Sequence, residues 1–323
     1  MGRRTSIITV GLSPAWDITC RGRNLDWGRH QYIDEQTIRP AGKALNVSKA
    51  LAWMGQRSIA AGLWGRTDYQ QMLTAVRASW PLIEVKLTTL VGGTRQNITV
   101  IDTARSRDMH LRNQSQLAST KALKQLQASL ETIVHRDSVC VFAGTMPDAG
   151  LLDELIRIIK SCVGRGAKIV LDTSGQPLKQ IVDTGDVWLV KPNVEELCEL
   201  MGQEIKDGSA SLAAAGRRLL GRVEVVLISR GRRGALVVTK DGAWQGRCVG
   251  RERVLSTVGC GDYLLAGFLK EFRDKSDPRS ALKTAIGVAT AKARGWTEGN
   301  TWREVLRGTP YEERKIEVTV ERT

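Results

Sequence analysis

The chain has 323 residues with 48 Lys and Arg against 34 Asp and Glu, a formal charge of +14, and is 42% hydrophobic but only 5% aromatic. A chain of this length buries about three-quarters of the surface it exposes when unfolded, so it needs neither metal nor disulfide to hold a core and does not fit intrinsic disorder. Its longest apolar runs, such as Ile7 to Val10, fall far short of the roughly 20 residues of a membrane-spanning helix. The start Met1-Gly2-Arg3-Arg4 is basic, but the apolar run behind it is broken by Ser13-Pro14 and Asp17, too soon for a signal-peptide core. A cytoplasmic protein with no membrane partner is expected. Six cysteines are scattered without a Cys-x-x-Cys pair and three histidines stand apart, so metal-ligand spacing is absent. The positive charge fits a nucleic-acid partner, an anionic small substrate or a basic background equally well.

Along the chain, short β-branched runs alternate with helical periodicities, the pattern of βαβ units and a mainly parallel sheet. Ile7 to Val10 reads as a first strand. Val47, Ala50, Leu51 and Met54 share one face at helical spacing, predicting a helix over Lys43 to Met54 that stops at Gly55. Ser58 to Leu63 reads as the next strand. Val85 to Asp102 reads as strands with no helix between them, a hairpin interrupted by Gly92-Gly93; with Asp17 to Arg39 it makes a small sheet standing off the main domain. Alternation resumes with strand Ser138 to Phe142 and helix Leu151 to Val163, strand Lys168 to Leu171 and a short helix, then strand Val187 to Val190 and helix Glu195 to Met201. Val225 to Ser229 and Ala235 to Thr239 read as adjacent strands joined through Gly231-Arg232-Arg233-Gly234. A right-handed wound sheet follows, in one α/β domain over 1–323.

The most informative segment runs from Ser256 to Phe268 and contains Gly259-Cys260-Gly261-Asp262. A glycine-rich turn opens into an apolar helix, so backbone N–H groups and the positive end of the helix dipole converge where an anion can bind. Asp262 places a carboxylate beside that anion. This is sensible chemistry if Asp262 takes the proton from an attacking hydroxyl while the N–H groups stabilise a transferring phosphoryl group. An acidic residue in the first turn of an ordinary capped helix is the alternative. Ala41-Gly42-Lys43-Ala44-Leu45-Asn46-Val47 is a second small-residue turn into a helix; Lys43 and Asn46, about one turn apart, offer a charge and an amide to one ligand. Ser229-Arg230-Gly231-Arg232-Arg233-Gly234 suits polyphosphate, and equally a surface turn. In Lys191-Pro192-Asn193-Val194-Glu195-Glu196, Asn193 and Glu196 have capping-box spacing, with a hydrated Mg²⁺ site as the other possibility. No Walker A or G-x-S-x-G pattern occurs.

Taken in order, Ser13-Pro14-Ala15-Trp16-Asp17, Ala41 to Val47, Thr94-Arg95-Gln96-Asn97, Ala143-Gly144-Thr145-Met146-Pro147, Asp172-Thr173-Ser174-Gly175, Lys191 to Glu196, Ser229-Arg230-Gly231 and Gly259 to Asp262 resemble the ribokinase-like (PfkB) carbohydrate kinases. The Thr-Arg-x-Asn and Asp-Thr-Ser-Gly elements are most similar to the branch holding 1-phosphofructokinase and tagatose-6-phosphate kinase. The similarity runs from about Ile7 to Gly295. It implies a Rossmann-like three-layer α/β sandwich of the ribokinase type, with a small β-sheet lid at about 17–40 and 85–112, and a homodimer formed through the lid. It also implies an ATP- and Mg²⁺-dependent transfer of the γ-phosphoryl group to a hydroxyl of a phosphorylated hexose, fructose 1-phosphate first, with a monovalent cation as an optional cofactor and no nucleic acid. Tagatose 6-phosphate, an unphosphorylated sugar or a nucleoside are alternative acceptors. A catalytically silent regulatory or nucleic-acid-binding protein on the same scaffold is the alternative of a different class.

By the resemblance, Asp262 carries over as catalytic base and the Gly259, Cys260 and Gly261 backbone as anion hole. Asp17, Gly42, Lys43, Asn46 and Gly144 carry over as sugar-binding, and Arg95 and Asn97 as lid-side contacts to the sugar phosphate, Arg95 in bidentate fashion. Asn193 and Glu196 match the metal and phosphate element, through water, and Ser229, Gly231, Gly234 and Thr257 the nucleotide site. Asp172 matches without a settled role. Ala41 stands where the family usually has glycine, Cys260 where alanine is commoner, and Tyr263 where a small residue follows the base. Gly28 to Tyr32 lacks the Asn-Arg pair of the phosphohexose branch, and His110 to Leu117 lacks its Pro-Gly-Pro.

Overall fold

In the computed structural model the described residues are 6–147, 149–250, 253–297 and 299–317, apart from the side chains of 274 and 275; the basic start at 1–4 lies outside them. The first part of the chain comprises β1 (Ile7–Gly11), β2 (Ala15–Gly22), β3 (Glu35–Ala41), α1 (Lys43–Trp53), β4 (Ser58–Gly65), α2 (Tyr69–Ser79), β5 (Ile83–Leu90), β6 (Gln96–Asp102) and β7 (Arg107–Arg112). The wound part follows as α3 (Thr120–Ile133), β8 (Val139–Ala143), α4 (Leu152–Gly164), β9 (Lys168–Asp172), α5 (Gly175–Asp183), β10 (Leu189–Val190), α6 (Val194–Met201), α7 (Ser209–Leu219) and β11 (Val225–Ser229). β12 (Ala235–Thr239), β13 (Gly242–Cys248), α8 (Cys260–Lys275), α9 (Pro278–Ala293), α10 (Trp302–Gly308) and β14 (Tyr311–Lys315) complete it.

Ten strands form one sheet in the order β14-β13-β12-β11-β10-β9-β8-β1-β4-β5. It is parallel from β5 to β11 and antiparallel from β11 to β14. Successive strand residues point to opposite faces, and both faces are covered, as a parallel sheet requires. Ile8, Val10, Phe142 and Leu171 pack under α3 to α7, while Ile7, Val141 and Leu227 pack under α1, α8 and α9. The result is the expected three-layer sandwich. The strand order reverses at β1, and in wound sheets the crevice outside the carboxyl ends at such a point is where ligands bind.

A second sheet, β3-β2-β6-β7, is separate. Its strands leave the main sheet after β1 and β5 and return into α1 through Gly42. Asp68, just before α2, ties it down: its carboxylate accepts from the Trp16 indole and, at 3.1 Å, from the Thr94 N–H. Trp16 also meets Trp64 edge-on at 5.7 Å. The hairpin expected over Val85 to Asp102 is not formed. β5 instead pairs in parallel with β4 from Ser58/Ile83 to Gly65/Leu90, with α2 as the crossover, and Gly92-Gly93 carries the chain from one sheet to the other. Ile83, Val85 and Leu87 are drawn into the main sheet because they pack with Trp64, Met72 and Val76.

Helix α1 is fixed to the sheet by a buried polar triad. Ser48 Oγ lies 2.8 Å from Thr9 Oγ1 on β1 and 3.0 Å from Ser58 Oγ on β4. Ser48→Ala should lower stability by about 1–3 kcal/mol because it strands two buried hydroxyls. Urea unfolding measures this, and Thr9→Val in the same background should recover part of the loss; an unchanged midpoint for Ser48→Ala contradicts the argument.

Candidate active site

Asp262 lies in the first turn of α8, 4% exposed. It does not cap that helix: the position before the helix is Gly259 and no side-chain capping bond is made. Its Oδ2 accepts instead from Asn46 Nδ2 of α1 at 2.9 Å. Burial, and next the charge of Asp172, push its carboxyl up to about 7 against the Asn46 bond and the two lysines Lys43 and Lys191. A carboxyl near neutrality at a helix start is poised to exchange a proton at physiological pH.

The turn before it is built for close approach. Gly259 has φ +78°, and a Cβ there would sit 3.8 Å from both Asn46 Nδ2 and Asp262 Oδ2. The Cys260 N–H turns back to the Thr257 carbonyl at 3.3 Å, so this part of the expected anion hole is engaged. The N–H groups of Gly261 and Asp262 belong to the first helical turn and have no acceptor within the helix.

Across from Asp262, Asp172 ends β9 fully buried. Its Oδ1 is 3.2 Å from Lys43 Nζ and 3.2 Å from Lys191 Nζ. Burial disfavours the Lys43 ammonium, but Asp172, Asp262 and Glu196 outweigh it and hold its pKa above the usual lysine range. Lys191 is itself only 5% exposed, and a Cβ on Gly261 would lie 3.5 Å from its Nζ. Gly144, after β8, donates its N–H to the Asp172 carbonyl at 3.0 Å and faces Lys43 Cβ. Thus Gly144, Lys43, Asn46, Gly259, Gly261 and Asp262 come together, with Gly42 as the residue before α1.

The expected lid-side residues form a second group on the small sheet. Asp17 and Asn97 are register partners on β2 and β6, with Arg39 and Arg112 continuing the row on β3 and β7. Asn97 Nδ2 donates to Asp17 Oδ1 at 2.8 Å, and Arg95 Nη1 donates to Asn97 Oδ1 at 2.9 Å. Arg95 also reaches the carbonyls of Asn113 and Ser13, at 3.3 and 3.2 Å. Its guanidinium therefore starts out engaged, and a bidentate grip on phosphate needs those bonds exchanged.

The remaining expected residues sit further along the sheet edge. Asn193 and Glu196 make a complete capping box at the start of α6, each side chain bonding the other's N–H at 2.8 Å. Asn193 also forms a bridge to Ser229 at the end of β11. Gly234 has a packing reason: a Cβ there would fall 2.0 Å from the Gly246 carbonyl oxygen. Gly231 and Arg233 form one short turn of helix before it. Arg230 and Arg233, read as flanking a polyphosphate, are both paired with Asp207, and Thr257 is exposed.

Two residues without an assigned role, Asp172 and Lys191, are central to the constellation. Both lie in segments that the sequence singles out, but only the fold shows that they pair. Lys292 of α9, whose Cε would lie 3.6 Å from a Cβ on Gly259, has no local motif to reveal it. A cavity of about 710 Å³ at the opposite ends of the strands, lined among others by Lys168, Trp188 and Glu224, holds none of these groups.

A family model described as pfkB family carbohydrate kinase matches residues 6–297. The chain is 28% identical to 1-phosphofructokinase of Haemophilus influenzae over 88% of this chain and 90% of that protein. It is 28% identical to 1-phosphofructokinase of Borreliella burgdorferi over 89% and 91%. Its fold matches phosphofructokinase-2 from Escherichia coli in complex with fructose-6-phosphate with a TM-score of 0.85 at 20% identity, over 94% of this chain and 98% of that one. The same Escherichia coli protein has been solved in complex with potassium and in a tetrameric inhibited form. With the family model spanning nearly the whole wound domain and the buried aspartate set at its glycine turn, the chain belongs to the pfkB family of carbohydrate kinases, phosphotransferases that use an alcohol group as acceptor.

Proposed function

We propose that the protein transfers the γ-phosphoryl group of ATP to a hydroxyl of fructose 1-phosphate, giving fructose 1,6-bisphosphate. The observation that carries this is Asp262, buried, oriented by Asn46 and set beside the Gly259 to Gly261 turn instead of capping its own helix. The relatives named 1-phosphofructokinase support the acceptor, and Arg95 with Asn97 on the small sheet offers a place for its phosphate. In this reading the small sheet is the lid over the sugar, at about 17–40 and from 96 to 112.

Asp262 accepts the proton of the attacking hydroxyl, and Asn46 keeps its carboxylate aimed. The N–H groups of Gly261 and Asp262, with the ammonium groups of Lys43 and Lys191, meet charge on the phosphoryl oxygens as it moves to the transferring group. Asp172 holds both lysines in place. Ser229, Gly231, Gly234 and Thr257 belong to the nucleotide side. The family implies Mg²⁺, an ion that keeps several waters and needs one or two carboxylates. Glu196 fits: its Oε2 is used by the capping box, and its other oxygen remains to hold a hydrated ion, with Asn193 reached through water. When bound, the ion offsets phosphate charge. The Escherichia coli neighbour solved in complex with potassium supports a monovalent cation as an optional cofactor, to which no step is assigned.

The outward face of the small sheet supports a homodimer through the lid. Ile38, Ile18, Ile98 and Leu111 lie in register across all four strands, and Ile38 and Leu111 remain 47% and 49% exposed. Sedimentation should give a dimer that Ile38→Asp with Leu111→Asp dissociates; a wild-type monomer at micromolar concentration refutes it.

Asp262→Asn should reduce turnover by about 10²–10⁴-fold, the usual contribution of a general base, while ATP still binds by calorimetry. In a coupled assay over sugars and sugar phosphates, fructose 1-phosphate should give the highest kcat/KM. Near-wild-type turnover by the variant, or preference for an unphosphorylated sugar, sinks the proposal.

The pH profile follows from the raised Asp262 value. Protonated Asp262 cannot accept the hydroxyl proton, so kcat/KM should fall as pH drops through about 7. The charge of Asp172 helps to raise that value, so Asp172→Asn should move the inflection to lower pH. An inflection that stays in place, or moves upward, contradicts the assigned cause.

A further inference from the structure

Tyr263 departs from the family pattern directly beside the base, and its surroundings give that departure a purpose. The side chain packs in the core shared by α1, α8 and α9, and the residue is 8% exposed. Lys292 of α9 lies over its ring, with Nζ 5.4 Å from the centroid. The methylene next to that ammonium, Lys292 Cε, lies against the Gly259 turn. The point that a Cβ on Gly259 would occupy is 3.6 Å from Lys292 Cε, 3.8 Å from Asn46 Nδ2 and 3.8 Å from Asp262 Oδ2. The end of a lysine, the amide that aims the base and the base itself therefore surround one glycine.

Charge supports the same assignment. Lys292 makes no ion pair among the described residues, although it stands within reach of a buried carboxylate and an anion-binding turn. Its field is felt at the turn, where it works against the burial that raises the Cys260 thiol. An ammonium held at a phosphate-binding turn without a carboxylate of its own finds its counter-charge in the ligand. A free lysine would spread over many rotamers; an aromatic face beneath the ammonium restricts it to those that reach the turn.

We propose that Lys292 is a further catalytic residue of the phosphoryl transfer, its ammonium meeting non-bridging oxygens of the transferring group at the Gly259 to Gly261 turn, and that Tyr263 is the positioning residue that holds it there. This rests on the kinase function proposed above. The balance of the step is unchanged: the hydroxyl proton passes to Asp262, the new O–P bond forms as the bond to the departing nucleoside diphosphate oxygen breaks, and Lys292 keeps its protons throughout.

The test uses the full chain with ATP, Mg²⁺ and the best acceptor from the substrate screen. Lys292→Met should lower kcat by about 10²-fold, the scale of one lost transition-state donor, with the KM of the acceptor changed by much less. Tyr263→Leu should lower kcat in the same direction, and Tyr263→Phe, which keeps the ring face, should recover most of it. In Lys292→Ala, methylammonium should restore turnover saturably while tetramethylammonium, which has no N–H, should not. Should Tyr263→Leu fail to fold, the lysine variants and the rescue decide. Folded Lys292→Met with kcat within about twofold of wild type, or equal effects of the two amines, overturns the inference. If instead the wild-type protein phosphorylates no sugar or sugar phosphate, the kinase function itself fails, and this inference with it.

Discussion

Two carboxylates, Asp172 and Asp262, are buried in one crevice, and the cost of keeping both away from water governs what surrounds them. Removing an ion from water costs several kcal/mol unless partners replace its hydration. Asp172 has two ammonium groups, Lys43 and Lys191, on one of its oxygens. Asp262 accepts a hydrogen bond from the neutral amide of Asn46 and feels Lys43 and Lys191 only through their charge. That asymmetry gives the two acids different work. One holds two cations, and the other, less well compensated and repelled by the first, keeps a proton affinity near neutral pH, which in the proposed reaction suits it to act as the base.

This arrangement tolerates little movement, and the fold supplies the rigidity. Lys43 and Asn46 stand about one turn apart on α1, so a single helix orients both the lysine paired with Asp172 and the amide that aims Asp262. The Thr9, Ser48 and Ser58 hydroxyls lock that helix to two central strands. Asp172 and Lys191 come from neighbouring strand ends, where the β9 and β10 backbones pair in parallel. The small sheet has its own anchors in Asp68 and in Lys49, whose ammonium donates to the Pro40 carbonyl just before α1 begins. The small sheet, with Asp17, Arg95 and Asn97, and the main domain, with Asp172 and Asp262, are thus coupled through the start of one helix.

Local chemistry was legible in the sequence wherever a glycine turn enters a helix, because N–H convergence at such a turn depends on a few adjacent residues. The segments at Gly42 and Gly259 fall in this class, as does the capping box at Asn193. Facts that depend on distant partners were not legible. Nothing near Val85 distinguishes an edge strand of the main sheet from an arm of a hairpin; the difference lies in packing with Met72 and Val76 of α2. Similarly, the arginines after Ser229 suit polyphosphate and a surface turn equally until Asp207, more than 20 residues earlier in the chain, is seen to pair with two of them. Lys292 was hidden for the same reason, since its neighbour across the turn is 33 positions away in sequence.

The three departures from the family pattern share a physical logic. Ala41 is buried at the end of β3 opposite Ala15, and the positive φ of the turn falls on Gly42, at +121°, so a Cβ at 41 needs no unusual backbone. Cys260 occupies the first position of α8, where its thiol donates to the Ser256 carbonyl at 3.6 Å and not toward the base. Tyr263 is directed into the core behind the helix. Gly259 has no such freedom: its φ is positive, and any side chain would project among Lys292, Asn46 and Asp262. Side chains at 41, 260 and 263 thus need no unusual backbone, whereas one at 259 would have to adopt a positive φ and enter the space among those three groups.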